Sequence, residues 1–360
     1  MMLERSFWRR WFSGAVGVIA IVMYPRVLDA LTVVADSEPA PACWVLLYTG
    51  GSIGRPFPPS DLVDLYATVD TSDHPTGWLC EGAIVLDLQA TSGRYFYPWP
   101  NKILAKGQDW NAYLDSLFAS RGRLESLDSA VGRITAVAGP PSGGFRVVVM
   151  IPYHPRGVDT VWVGQAPFVL SDSNGRRRAT EAYIDFVAQR FAAARFRHLT
   201  LVGYYWLNEQ IRTVDSALVR QTADAVHRRR FHLFWIPYYG AAGAASWASF
   251  GFDQAWLQPN YFFHPEVPVV RLDTAVSRAR AWNLGLELEF NLKMFDQWQF
   301  ADRLEPYLTV LEDAPDLRAK SVTVYEGVGG LIRLARSRDA WHRALYERLV
   351  AALRRSGAPR

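Results

Sequence analysis

The chain reads as a single-domain (β/α)8 TIM barrel, and three observations predict it. Short β-rich runs alternate with amphipathic helical patterns about eight times along the sequence, the rhythm of strand-helix units in a parallel barrel. The 360 residues, half of them hydrophobic, suffice for one large core. Polar and aromatic residues collect at the carboxyl ends of the predicted strands, where a barrel keeps its chemistry.

Residues 1–36 precede the barrel and have the pattern of a signal or membrane-anchor segment. Arg5, Arg9 and Arg10 supply a positive start, and Trp11 to Met23 form an apolar stretch broken only by small residues. That stretch is short for a spanning helix, and Pro25 and Arg26 interrupt it. Cleavage near Ala30 or Ala35 and retention as an uncleaved anchor are both compatible with the pattern; Arg9-Arg10-Trp11-Phe12 faintly resembles a twin-arginine export signal. The expected location is therefore secreted or extracytoplasmic, with contact to membrane only through such an anchor.

The barrel domain is expected over 37–356. Its predicted strands run Trp44 to Tyr48, Ala83 to Leu88, Arg146 to Tyr153, Leu199 to Trp206, His232 to Pro237, Gln254 to Asn260, Gly285 to Asn291 and Ser321 to Glu326. Helical patterns fall at Asn111 to Val137, Arg178 to Ala194, Val214 to Arg228, Leu272 to Trp282, Gln297 to Leu311 and Arg338 to Arg355. Thr91 to Lys106, rich in proline and aromatics, reads as a long loop over the cleft. Cys43 opens the first strand and Cys80 precedes the second, so they lie near one end of neighbouring strands; a disulfide and two buried thiols are both open readings. An open doubly wound sheet is the alternative architecture. The run Thr49-Gly50-Gly51-Ser52-Ile53-Gly54 lacks the Lys-Ser/Thr ending of a phosphate loop, and Pro56, Pro58 and Pro59 follow it, so it reads as a flexible first barrel loop.

Leu201-Val202-Gly203-Tyr204-Tyr205-Trp206-Leu207-Asn208-Glu209 carries an apolar strand into aromatics and ends on an Asn-Glu pair. Asn283-Leu284-Gly285-Leu286-Glu287-Leu288-Glu289-Phe290-Asn291 alternates glutamate with leucine, which puts both acids on one strand face with Gly285 and Asn291. Glycosidic bond cleavage needs one carboxyl to protonate the leaving oxygen and another to attack the anomeric carbon or activate water. Glu209 is the expected acid; a helix-start or salt-bridging role near Arg212 is its bland alternative. Glu289, nearer the strand end, is the expected nucleophile or base, with Glu287 the alternate, and acids so placed repel, so one should carry a raised pKa.

Around them the expected sugar-binding residues are Asp87, Tyr97, Trp99, Tyr153, Tyr205, Trp206, Asn208, Trp235, Tyr238, Gln258, Asn260, Tyr261, Asn291 and Tyr325. Rings suit CH faces and amides suit hydroxyls, although Asp87 could equally cap a turn. The 14 Trp and 16 Tyr fit sugar platforms or aromatic core layers alike.

The segments Tyr97-Pro98-Trp99, Gly203-Tyr204-Tyr205-Trp206 with Glu209, Trp235-Ile236-Pro237-Tyr238, Gly251-Phe252-Asp253, Gln258-Pro259-Asn260-Tyr261 and Glu287-Leu288-Glu289 jointly resemble the domain-of-unknown-function 4855 family. Asn-Glu at the fourth strand and Glu at the seventh also resemble the clan of retaining (β/α)8 glycosidases. The first resemblance implies a secreted bacterial barrel with a glycosidase-like carbohydrate role. The second implies Glu209 as acid/base and Glu289 as nucleophile, while the second acid on the seventh strand departs from the clan pattern.

The expected activity is thus hydrolysis of a polysaccharide without metal or organic cofactor; a non-catalytic glycan-binding barrel is the rival. A net charge of +4 arises from arginine, with Lys102, Lys106, Lys293 and Lys320 the only lysines, and no dense basic run suggests nucleic acid. His154 and His264 lack a second histidine at ligand spacing and read as loop residues. No Gly-x-Ser-x-Gly elbow follows a predicted strand, which disfavours a serine hydrolase. A deacetylase or lyase would need a metal cluster or a basic catalytic residue, and neither is evident.

Overall fold

The computed structural model describes residues 41–49, 57–157 and 160–354. The expected leader over 1–36 and most of the glycine-rich first loop lie outside the described residues. Eight parallel strands close into a barrel in chain order: β1 (Cys43–Tyr48), β2 (Gly82–Leu86), β3 (Phe145–Ile151), β4 (Leu199–Trp206), β5 (His232–Trp235), β6 (Gln254–Leu257), β7 (Gly285–Glu289) and β8 (Val322–Tyr325). β1 pairs with β2 on one side and β8 on the other, so closure leaves no exposed strand edge.

Helices pack outside this wall, among them Pro59–Tyr66, Ser173–Ala194, Ser216–Arg228, Val270–Ala281, Glu305–Asp313 and Ala340–Leu353. The longest, Ser173–Ala194, starts where the Asp172 side chain accepts the Gly175 N–H, and Asp339 likewise caps Ala340–Leu353. The single helix expected over 111–137 is two, Asp109–Phe118 and Arg123–Ala138. Arg121 between them takes a left-handed φ of 56°, and a Cβ on Gly122 would lie 2.4 Å from the Ala119 carbonyl oxygen. Two hairpins, Ala67–Val69 with Pro75–Trp78 and Thr160–Val163 with Ala166–Val169, are additions to the expected elements. Cys43 and Cys80 are joined by a disulfide, with Cα atoms 5.0 Å apart, which ties the start of β1 to the residues entering β2.

Strand register decides which side chains enter the barrel, because residues paired across parallel strands share a face. The pairs Trp44↔Gly82, Phe234↔Gln254 and Trp256↔Gly285 build the amino-terminal layer. Trp44 and Phe234 have ring centroids 5.4 Å apart and Phe234 and Trp256 5.9 Å apart. Glycine makes the room: a Cβ at Gly82 would sit 2.4 Å from the Trp44 ring, and one at Gly285 2.3 Å from the Trp256 ring.

β4 contains a bulge. Val147 pairs with Leu201 but Val148 pairs with Gly203, so Val202 is skipped and the alternation shifts by one. A Cβ at Gly203 would lie 2.3 Å from the His232 carbonyl oxygen, so only glycine fits the bulge. Beyond it Tyr205 turns inward, whereas the Tyr204 hydroxyl reaches out to the Ile184 carbonyl at 2.7 Å.

Candidate active site

Alternation in Gly285-Leu286-Glu287-Leu288-Glu289 sends the leucines to the helix layer and both glutamates into the barrel, where each is fully buried. The register Glu287↔Thr323 and Glu289↔Tyr325 places them beside inward residues of β8. Glu209, just past the end of β4, is half-buried and lines a cleft of about 420 Å³. Tyr97, Trp99, Asn208, Tyr238, Asn260 and Arg271 line the same cleft. Glu209 therefore meets solvent at the mouth, and Glu287 and Glu289 lie enclosed within the barrel.

The three acids are electrostatically one group. Burial, then the proximity of Glu289, pushes the Glu209 carboxyl up to about 7. Burial also raises Glu289 to about 7, against the pull of the Tyr307 hydroxyl, the Tyr261 and Asn260 N–H groups and Arg271. Tyr307 donates to Glu289 Oε2 at 2.6 Å and the Tyr261 N–H at 3.4 Å, while Oε1 has no partner among the described residues. Glu287 is pushed well above the usual carboxylate range by burial and by both other glutamates. The Gln258 amide pulls it weakly downward without reaching hydrogen-bond geometry, and neither Glu287 oxygen is paired among the described residues. A charge so placed would be uncompensated, so Glu287 is the member that keeps its proton. Tyr48, Tyr205 and Tyr325 are raised by burial and by these acids, and remain neutral phenols.

The structure gathers most, though not all, of the residues singled out from the sequence. Tyr97, Trp99, Asn208, Tyr238 and Asn260 line the cleft with Glu209. Tyr205, Tyr325, Gln258 and Tyr261 surround the buried acids. Asn260 adopts a left-handed φ of 51° and spends its amide on the loop, accepting the Tyr239 N–H at 2.8 Å and donating to Gln258 at 2.8 Å.

Five expected binding residues lie elsewhere. Trp206 is turned outward by the β4 bulge and stacks with His154 at 6.4 Å; its register partner Trp235 stacks on Phe252 at 5.1 Å and donates to the Asn208 carbonyl. Asp87 faces Tyr113 and Arg123 on the helix side. The Tyr153 hydroxyl is committed to Asp215 at 3.0 Å, and Asn291 accepts the Lys293 N–H at 2.9 Å to shape a turn. Conversely, Tyr48, Tyr307 and Arg271 belong to the site without having been singled out. Tyr48 was accessible from β1 parity with Trp44, but Tyr307 and Arg271 arrive on helices, where local sequence carries no mark of what they face.

A buried network braces the β4 loop. Arg176 donates to Asp215 at 2.6 Å and to the His154 carbonyl at 2.7 Å, and Thr180 bonds the His154 ring at 3.0 Å. Burial, reinforced by Arg176, lowers His154 to about 3, so it is a neutral structural histidine.

In many barrels a phosphate binds at the short helix after the eighth strand. Here Glu326 occupies that place, accepting the N–H groups of Gly329 at 2.9 Å and Leu331 at 3.1 Å at the start of Gly330–Ala335. Burial raises it to about 7 against those bonds. Among the described residues no group of three or more His, Cys, Asp and Glu side chains is arranged to hold a metal ion.

No curated protein matches the chain. Solved structures that resemble it include mutant forms of the tryptophan synthase α-subunit from the hyperthermophile Pyrococcus furiosus. One is 9% identical over 87% of this chain and 97% of that one, with a TM-score of 0.35. Another is 9% identical over 87% and 98%, with a TM-score of 0.37. A family model, described as a domain of unknown function (DUF4855), matches residues 44–351, which is the whole barrel from β1 into the last helix; the chain belongs to that family.

Proposed function

We propose that this chain is an exported glycoside hydrolase acting on a polysaccharide by a two-carboxylate mechanism. The observation that carries this reading is the pairing of Glu209 with Glu289, each raised to about 7, at the strand ends beneath an aromatic cleft. Mutual repulsion favours the state in which one carboxyl is protonated and the other ionised, as acid and nucleophile must be. Glu209, at the solvent side, gives its proton to the glycosidic oxygen as that bond to the anomeric carbon breaks. The Glu289 carboxylate, oriented by Tyr307, forms the bond to that carbon. Glu209, now ionised, takes a proton from water as the water oxygen displaces Glu289, and both carboxyls return to their starting states. Neutral Tyr205 and Tyr325 supply hydrogen-bond donors at the reacting ring, and Trp99 and Tyr238 supply faces for neighbouring sugars. Export is supported by the basic-apolar pattern of residues 1–36 and by the Cys43–Cys80 disulfide.

The complete burial of Glu289 favours a second reading, a barrel that binds glycan without cleaving it, because a nucleophile must be reached by substrate. Product release from a panel of bacterial cell-wall and plant polysaccharides separates the two. A hydrolase releases oligosaccharide from at least one of them and loses that release in Glu209→Gln and Glu289→Gln with folding intact. A binding barrel releases none, and its binding survives both substitutions.

A further inference from the structure

Arg271, the second residue of the helix Val270–Ala281, is a cation held ready in the cleft. Its guanidinium lies 4.0 Å from the centroid of the Tyr239 ring, which orders the side chain without consuming its charge. Arg278 lies equally close to that ring but is committed, donating to the Tyr239 carbonyl at 2.8 Å. Arg271 donates one long hydrogen bond, 3.4 Å to the Pro259 carbonyl, and no carboxylate pairs with it among the described residues. Several other forks are closed, on acids or on carbonyls: Arg176 meets Asp215 at 2.6 Å, Arg229 meets Asp185 at 2.5 Å, Arg348 meets Glu312 at 2.8 Å, and Arg303 donates to the carbonyls of Phe262, Tyr261, His264 and Val267. Arg271 is also near enough to lower the pKa of Glu289, so an anion bound to it would sit next to the reacting centre. Asn208, another cleft residue, has a side-chain amide with no hydrogen-bond partner among the described residues, and it offers a donor to the same ligand.

We propose that the cleft takes a carboxylated glycan, a uronate-type sugar chain whose carboxylate binds the open edge of Arg271. This deepens the hydrolase reading and rests on it for the identity of the cleft. A planar carboxylate matches the planar guanidinium fork, and with Glu287 protonated the acids nearby oppose such a ligand less than their number suggests.

The test is binding of oligogalacturonate, oligoglucuronate and oligomannuronate, each beside its carboxyl-reduced neutral counterpart, to the full-length Glu209→Gln protein by calorimetry. At least one uronate should bind about tenfold or more tightly than its reduced form, as expected for a charge-assisted pair. Arg271→Gln should erase that preference and Arg271→Lys should restore part of it. Equal affinity for both forms, a preference that survives Arg271→Gln, or no uronate binding at all overturns the proposal. Wild-type turnover distinguishes the two readings. Cleavage of neutral glycans that is indifferent to Arg271→Gln sinks the acidic-substrate inference and leaves the hydrolase standing. Arg271-dependent binding without any cleavage supports the acidic ligand and sinks the hydrolase.

Discussion

The two ends of the barrel contain cavities of unlike character, and the larger is not the one beside the three clustered acids. At the amino-terminal end a hollow of about 660 Å³ is lined by Gln254, Asn283, Gly285, Arg318, Lys320 and Ser321 among others. Its one carboxylate among the described residues is spent on structure, Asp253 accepting the Leu233 N–H at 2.7 Å and bonding His227 at 2.9 Å, and Lys320 donates to Asn283 at 2.7 Å. Burial pushes Asp253 up, but hydrogen bonds from His232, Leu233 and His227 outweigh it and leave the carboxyl below its usual value. At the other end the cleft is smaller, yet Glu209 and the two acids beneath it are all raised. A lowered carboxyl has been stabilised by its surroundings; a raised one has been left in want of a partner. Glu326 shows that a raised pKa alone does not identify a site, because its Oε2 accepts two N–H groups at a helix start and it does not line the cleft.

Substitutions at each end should part activity from stability. The largest effect expected is on turnover: Glu209→Gln should lower kcat by about a hundredfold to ten-thousandfold without lowering Tm, measured on whichever glycan the wild type cleaves. At the opposite end, Trp44→Ala should cost about 3–5 kcal/mol in denaturant unfolding, since it empties the layer shared with Phe234 and Trp256, while the folded fraction keeps its turnover.

Stability should also depend on pH with a definite sign. A carboxyl raised from 4.5 to about 7 holds its proton better in the folded chain, so its contribution is fully present below pH 4.5 and is lost as pH rises to about 7. Glu289→Gln removes that loss and should raise stability at pH 8, by at most about 3 kcal/mol, with the gain shrinking toward pH 4.5 in parallel unfolding titrations. Smaller still, Trp99→Ala should weaken glycan binding by about 1 kcal/mol with Tm unchanged. Trp206→Phe should do the reverse, because that ring lies behind the wall against His154.

The contrast between Trp99 and Trp206 also marks how far the sequence could be read. Strand-helix alternation disclosed the barrel, and the Glu-Leu-Glu spacing disclosed the inward face of β7, because period two survives wherever a strand is regular. Trp206 was misplaced because the bulge at Val202 inserts one residue, and its determinant is the close approach of Gly203 to the His232 carbonyl on the neighbouring strand. Trp235 followed, being in register with it. The break at Arg121 and Gly122 was hidden because apolar spacing continues on both sides of it. Tyr307 and Arg271 escaped for a different reason: a helix places them in space, and only the closed barrel reveals that both face Glu289.

The central claim is that Glu209 and Glu289 act on one another across the base of the cleft. Carbon-13 NMR titration of the glutamate side-chain carboxyls, with Glu209 assigned from Glu209→Gln, measures this without any substrate. A Glu209 pKa near 7 in the wild type that falls when Glu289→Gln removes its neighbour's charge is the predicted result. An ordinary pKa of about 4.3, or a raised one indifferent to Glu289→Gln, would contradict it.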